Sequence, residues 1–210
     1  MKSFEKLLED CVATHGHLCA GQVIGVRMAM LGCRLVGVDK PHAAQWRKKL
    51  IVFVEIDRCT TDAIEIVTGC RMGKRTLKFR DFGINAATFL NLETGQAYRI
   101  VSTEESRQMV ADYAPEETDH FRQQMEGYKR MPDNELFRIE RVCIDLPPWE
   151  MPGRPSRHAT CQRCGQVVRD GKEVYRGREV LCRHCTGESY FRPWILDPSS
   201  LPYCHKETSI

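Results

Sequence analysis

At 210 residues the chain is long enough for one domain of about 150 residues and a small appendage. A formal net charge of +3 does not by itself imply nucleic acid, because phosphate binding needs clustered Lys and Arg. No run of about 18 apolar residues offers a membrane span, and charges fill "MKSFEKLLEDC" where a signal peptide needs an apolar core, so a cytoplasmic location is expected. Eleven cysteines are many for a compartment that keeps thiols reduced, and they point to metal.

In chain order, Ser3 to about Val12 puts Phe4, Leu7, Leu8 and Cys11 on one helical face, with Ser3 as the cap. "THGH" interrupts that helix, and a second is expected from Ala20 to Leu35. In it Gly21, Gly25 and Ala29 form a stripe of small side chains that permits close approach by another element. "LIVFVEID" (50–57) reads as a buried strand, and "TTDAIEIVTG" as a short helix capped by Thr60 or Thr61 and stopped at Gly69. "TLKFRDF" alternates as a strand, and "AATFLNLETGQAYRIVS" predicts a hairpin around Thr94-Gly95. Helices are expected at 104–113 and 116–131, then a strand in "LFRIERVCIDL". "PPWEMPGRP" is a linker by its prolines and glycine. The organisation is therefore an α+β core over 1–146, with a mixed or antiparallel sheet and packed helices, a linker over 147–157, and a small module over 158–210.

In that module Cys161-x2-Cys164 and Cys182-x2-Cys185 are 17 residues apart, a structural zinc spacing. Each C-x2-C turn offers two thiolates, and a tetrahedral ion needs two such turns brought face to face by a hairpin. Metal binding would supply most of the folding free energy of so short a segment. A helix starting at the second pair would make it a treble clef; without that helix it is a plain zinc ribbon. His158 and His184 are read as bystanders, and Cys204-His205 as a minor alternative source of ligands.

In the core, Cys11, His15, His17, Cys19, Cys33, Cys59 and Cys70 are the soft-ligand candidates, with His42, His120 and Cys143 away from any cluster. Cys33 reads as a small buried hydrophobe. "THGHLC" is expected as a loop that presents His15 or His17 with Cys19 at the mouth of the second helix, where the dipole favours a thiolate. Cys59 follows a strand in "EIDRCTTDA" and converges with that loop, so His17 and Cys59 are the first candidates for a core metal. His15, Cys19 and Cys70 stand behind them, and Asp57 and Asp62 are possible orienters of a ligating histidine. Gly69 to Lys74 is not a phosphate loop: three residues separate Gly69 from Gly73, and Arg75 stands where Ser or Thr would hold magnesium. The basic run Lys74, Arg75, Lys78 and Arg80 is expected on a solvated strand face.

The strings "HGHLCAGQVIGVRMA" and "DRCTTDAIEIVTGCRMGKRTLKFRDFG", with the trailing four-cysteine finger, resemble the FmdE-like family, which takes its name from formylmethanofuran dehydrogenase. The resemblance implies an α+β core with a metal site, a treble-clef finger and a homodimer. Ala20 stands where the family often has Pro, and Asn85 where it often has Lys, which removes a possible anion contact. The expectation is a cytoplasmic accessory or metal- and sulfur-handling factor for a molybdenum or tungsten oxidoreductase, with zinc in the finger and in the core. The alternative is a dimeric regulatory or adaptor protein whose arginine-rich finger binds nucleic acid or a protein partner.

Overall fold

The computed structural model describes residues 1–155 and 157–191. The chain divides into two compact units, Met1–Arg154 and Pro155–Ile210.

The first unit opens with α1 (Phe4–His15), whose Ser3 cap accepts from the Lys6 N–H. It runs three residues past the expected end and stops only at Gly16, whose φ of 94° lets its N–H close on the Val12 carbonyl in a backbone region that favours glycine. Next comes α2 (Ala20–Leu35), then strand β1 (Leu50–Val54) and α3 (Cys59–Thr68), which ends at the left-handed Gly69. The cap of α3 is Arg58, without a side-chain bond, rather than Thr60 or Thr61; the Thr61 hydroxyl instead donates back to the Ile56 carbonyl.

Strand β2 (Leu77–Phe79) lies parallel to β1, joined through α3. Strands β3 (Ala86–Asn91) and β4 (Ala97–Ser102) form the expected hairpin. The helix expected over 104–113 is broken at Met109 into α4 (Glu104–Gln108) and α5 (Val110–Tyr113). Then α6 (His120–Arg130) starts late behind the Asp119 cap, and α7 (Asp133–Leu136) leads into β5 (Phe137–Val142). The sheet order is β2-β1-β3-β4-β5, antiparallel except for the β1/β2 pair. This is the mixed-sheet α+β core that the sequence implies.

Both faces of the sheet are covered, which explains why all five residues of β1 are buried. Val52, Val54, Phe89 and Ile100 pack with the helices in the main core, while Ile51, Phe53, Leu90 and Ala97 pack beneath Ile144 and Leu146. Gly32 of α2 lies so close to the Phe89 ring that a Cβ there would sit 2.3 Å from it. Burying Phe89 completely contributes about 2–3 kcal/mol. On the second face Arg99 grips Glu55 with two bonds of 2.7 Å, the bidentate geometry that makes an arginine–carboxylate pair strong.

The basic run is not a solvated face. Arg75 donates to the Trp149 carbonyl, Lys78 to the Glu150 carbonyl at 2.7 Å, and Arg80 to the Glu150 carboxylate at 2.6 Å. Lys78 is 8% exposed. The proline-rich stretch at 148–150, a single 3-10 turn, is thereby tied to the core by three cations.

In the second unit β6 (His158–Thr160) pairs with β7 (Val167–Arg169), and β8 (Val174–Arg176) with β9 (Glu179–Leu181), as two antiparallel hairpins. Each hairpin brings one C-x2-C turn into place. Among the described residues the helix expected at the second pair is one 3-10 turn, His184–Thr186, closed by Gly187 at φ 98°. Cys204 and His205 lie outside the described residues.

Candidate metal centres

The four finger cysteines, Cys161, Cys164, Cys182 and Cys185, gather with all sulfurs within 4.8 Å of one another. Cys164 and Cys182 sulfurs are 3.7 Å apart, close to the edge of roughly 3.8 Å that four zinc–sulfur bonds of 2.3 Å impose on a tetrahedron. Backbone N–H groups, that of Cys182 first, draw the Cys161 thiol down to about 6, whereas burial and then Cys182 push Cys185 up to about 12. Four thiols this close cannot all ionise without a cation between them, so the donor set fits a closed zinc site.

The core site starts from the break between α1 and α2. His15 is the last residue of α1, Gly16 turns the chain, and Cys19 is the cap of α2. That turn places one donor atom each of His15, His17 and Cys19 within 4.8 Å of one another, with the two imidazole rings 4.8 Å apart between centres. His17 is exposed, while His15 and Cys19 are half-buried.

The fourth arm depends on how α2 meets α3. A Cβ at Gly21 would lie 3.1 Å from the Cys59 Cβ, and one at Gly25 only 2.6 Å from the Thr60 carbonyl oxygen. The small-residue stripe therefore lets the first turn of α3 approach the start of α2, and Cys59 comes to rest against Cys19. Their thiols share a hydrogen bond, and the Cys59 thiol is held above its ordinary range by burial first and Cys19 second. Two neutral thiols sharing a proton release it readily to a metal.

One turn into α3, Asp62 binds His15 Nδ1 at 3.0 Å. With Nδ1–H donating to that carboxylate, His15 Nε2 is left as the lone pair for a metal, an arrangement that fixes tautomer and ring orientation. Asp62→Asn is expected to weaken metal binding at this site about 10- to 100-fold, measured by competition with a chromogenic chelator, while the finger keeps its ion. Equal affinity in the variant would show that Asp62 is idle.

The other sequence candidates are placed elsewhere. Cys70 lies beyond the far end of α3 from Cys59, a helix about 15 Å long by its rise. It is 4% exposed, its thiol donates to the Leu50 carbonyl, and burial pushes it up to about 11. The structure does not bring it to the core site. Cys33 is wholly buried, as expected. Cys11 is also wholly buried and its thiol is raised to about 11 by burial, so it is packing. Gln22 gives no signal in the sequence. It is wholly buried on the first turn of α2, and its amide donates to the Cys11 carbonyl at 3.5 Å, tying the helices on either side of the ligand loop.

Beside Cys59 a cavity of about 240 Å³ is lined by Arg58, Asn85, Arg107, Gln124 and Tyr128 among others. A metal held by three or four of these donors would therefore face a space large enough for a small molecule, and zinc there would supply Lewis-acid chemistry.

An α+β core with a mixed imidazole–thiolate cluster, followed by a four-cysteine module, defines a metal-binding protein. A family model described as FmdE, molybdenum formylmethanofuran dehydrogenase operon, matches residues 14–138, more than half of the chain, and the chain belongs to that family. A protein described as a probable S-adenosyl-L-methionine-binding protein of Archaeoglobus fulgidus is 26% identical over 203 residues, covering 88% of this chain and 54% of its own length. The chain thus spans about half of that relative. Among solved structures, an FmdE-like protein of tungsten formylmethanofuran dehydrogenase from Syntrophus aciditrophicus superposes with a TM-score of 0.58 at 19% identity, covering 91% of this chain and 96% of that one. At that identity the likeness establishes the fold. No helix among the described residues is long and apolar enough to cross a membrane.

Proposed function

We propose that the chain is an accessory metal-binding protein of a molybdenum or tungsten oxidoreductase system, in which His15, His17, Cys19 and Cys59 hold a core ion, zinc by the chemistry of its donors, and the finger holds a structural zinc. The observation that carries this reading is the convergence of His15, His17 and Cys19 within 4.8 Å, with Cys59 hydrogen-bonded to Cys19. Family membership supports the oxidoreductase association, and the cavity beside Cys59 supports access by a small group, as metal or sulfur handling requires. A homodimer and a contact with a partner oxidoreductase belong to the same reading and are tested by light scattering and by co-purification.

Metal analysis of purified protein tests the core. The parent should carry two ions per chain, and Cys59→Ala and Cys161→Ala should each lose one. Full metal content in Cys59→Ala would remove Cys59 from the site.

The alternative, a finger that binds nucleic acid, is weakened by charge. Between residues 157 and 191, six arginines and Lys172 face Asp170, Glu173, Glu179 and Glu188. A zinc tetrathiolate adds about −2, leaving the described part of the unit near +1. That is too little to drive binding by counterion release.

A further inference from the structure

The basic run that begins at Lys74 is divided by the structure. Arg75, Lys78 and Arg80 are engaged by Trp149 and Glu150. Lys74 instead lines a cavity of about 260 Å³ together with Trp46, Arg47, Lys48 and His42, and no carboxylate lies in its wall. Among the described residues Arg47, Lys48 and Lys74 have no ion-pair partner. Three uncompensated cations around one recess create a positive potential that a bound anion would relieve.

The recess is built rather than incidental. Trp46 and Lys49 close a tight turn, with the Lys49 N–H donating to the Trp46 carbonyl at 3.0 Å. Arg47 has φ −58° and ψ 117° and Lys48 has φ 64°, the angles of a type II turn whose third position ordinarily takes Gly or Asn. A lysine held left-handed there is the kind of backbone outlier that gathers at ligand sites.

The opposite wall is the C-terminal end of α3, whose carbonyls would repel an anion. They are already occupied. His42 donates from Nε2 to the Ile66 carbonyl at 2.9 Å, and Gly69 N–H donates to the Glu65 carbonyl at 2.8 Å. The His42 ring is seated on Gly69, where a Cβ would meet its Nδ1 at 3.0 Å. On the floor, the Cys70 thiol donates to the Leu50 carbonyl. The polar groups of the recess are thus satisfied internally, and the three cations remain available to a ligand.

We propose that this cavity, at the other end of α3 from the core metal site, binds a small phosphate monoester, with Arg47, Lys48 and Lys74 on the phosphate and the Trp46 ring against a planar group of the same ligand. The site is independent of the metal reading, since it shares no residue with either cysteine cluster.

Calorimetric titration of the full zinc-loaded chain with inorganic phosphate and with adenosine monophosphate tests this. Both should saturate and compete, and the nucleotide should bind about tenfold tighter through stacking on Trp46. Trp46→Leu should erase that difference. Lys48→Gly, which suits the turn and keeps the fold, should weaken both ligands by roughly tenfold, and Arg47→Gln with Lys74→Gln by more, at unchanged metal content. Failure of phosphate to saturate, equal binding by the charge variants, or a nucleotide no tighter than phosphate would each overturn the proposal.

Discussion

Removing zinc from the second unit is expected to unfold it while leaving the first unit intact. The buried apolar part of this unit is Cys161, Leu181 and Cys182, with Val168 and Cys185 half-buried against them. At about 1.5–3 kcal/mol for each fully buried side chain of this size, Leu181 and Val168 contribute a few kcal/mol. That falls far short of the roughly 1–2 kcal/mol that ordering each residue costs. A structural zinc supplies about 10–16 kcal/mol, so the ion and not the core decides whether the hairpins exist. Hydrogen exchange on the full chain checks this. With chelator, or in Cys161→Ser, amides of β6 to β9 should lose their protection, and amides of β1, β3 and β4 should keep theirs. Acidification should act in the same direction, because protons compete with the ion for the thiolates. Retained protection in a zinc-free second unit would mean that the apolar cluster suffices.

The finger is legible in the sequence because its chemistry is local. Two C-x2-C turns at a fixed spacing bring their own ligands, whatever surrounds them. The core site is legible only in part, because its arms come from elements whose approach the sequence does not print. "HGHLC" declares donors. That His15 belongs with His17 and Cys19 depends on α1 running on to His15 and on Gly16 taking a left-handed conformation. The stripe of Gly21, Gly25 and Ala29 announces a close approach but not its partner, which proves to be α3. Cys70 misleads for the opposite reason. Its nearness to Cys59 in sequence hides the length of the helix between them. The basic run looks solvated because alternation marks which side of a strand a residue takes, but not what later segment crosses that side. Here residues 148–150 return and claim three of its four cations.

Gly25→Ala is expected to damage the core metal site without touching any ligand. A Cβ at Gly25 would sit 2.6 Å from the Thr60 carbonyl oxygen, 2.7 Å from the Ala63 Cβ and 3.0 Å from the Thr60 Cα. Two of these are backbone atoms and the third is a Cβ, so no flexible side chain can swing away, and α3 must retreat from α2. Overpacking of this kind costs about 1–3 kcal/mol, which for a unit of about 150 residues lowers Tm by roughly 2–4 °C per kcal/mol. The larger consequence is geometric. Cys59 begins α3 and Asp62 lies one turn in, so a retreat of the helix draws both from the loop that carries His15, His17 and Cys19. Metal affinity at the core should fall at least about tenfold, the scale seen when supporting contacts of a metal site are lost, with the finger zinc retained. Gly73→Ala is the control, since nothing lies within 4 Å of its added methyl group, and it should leave both Tm and metal content unchanged. If Gly25→Ala matched that control, the close packing of α2 on α3 would not be what holds Cys59 in the site.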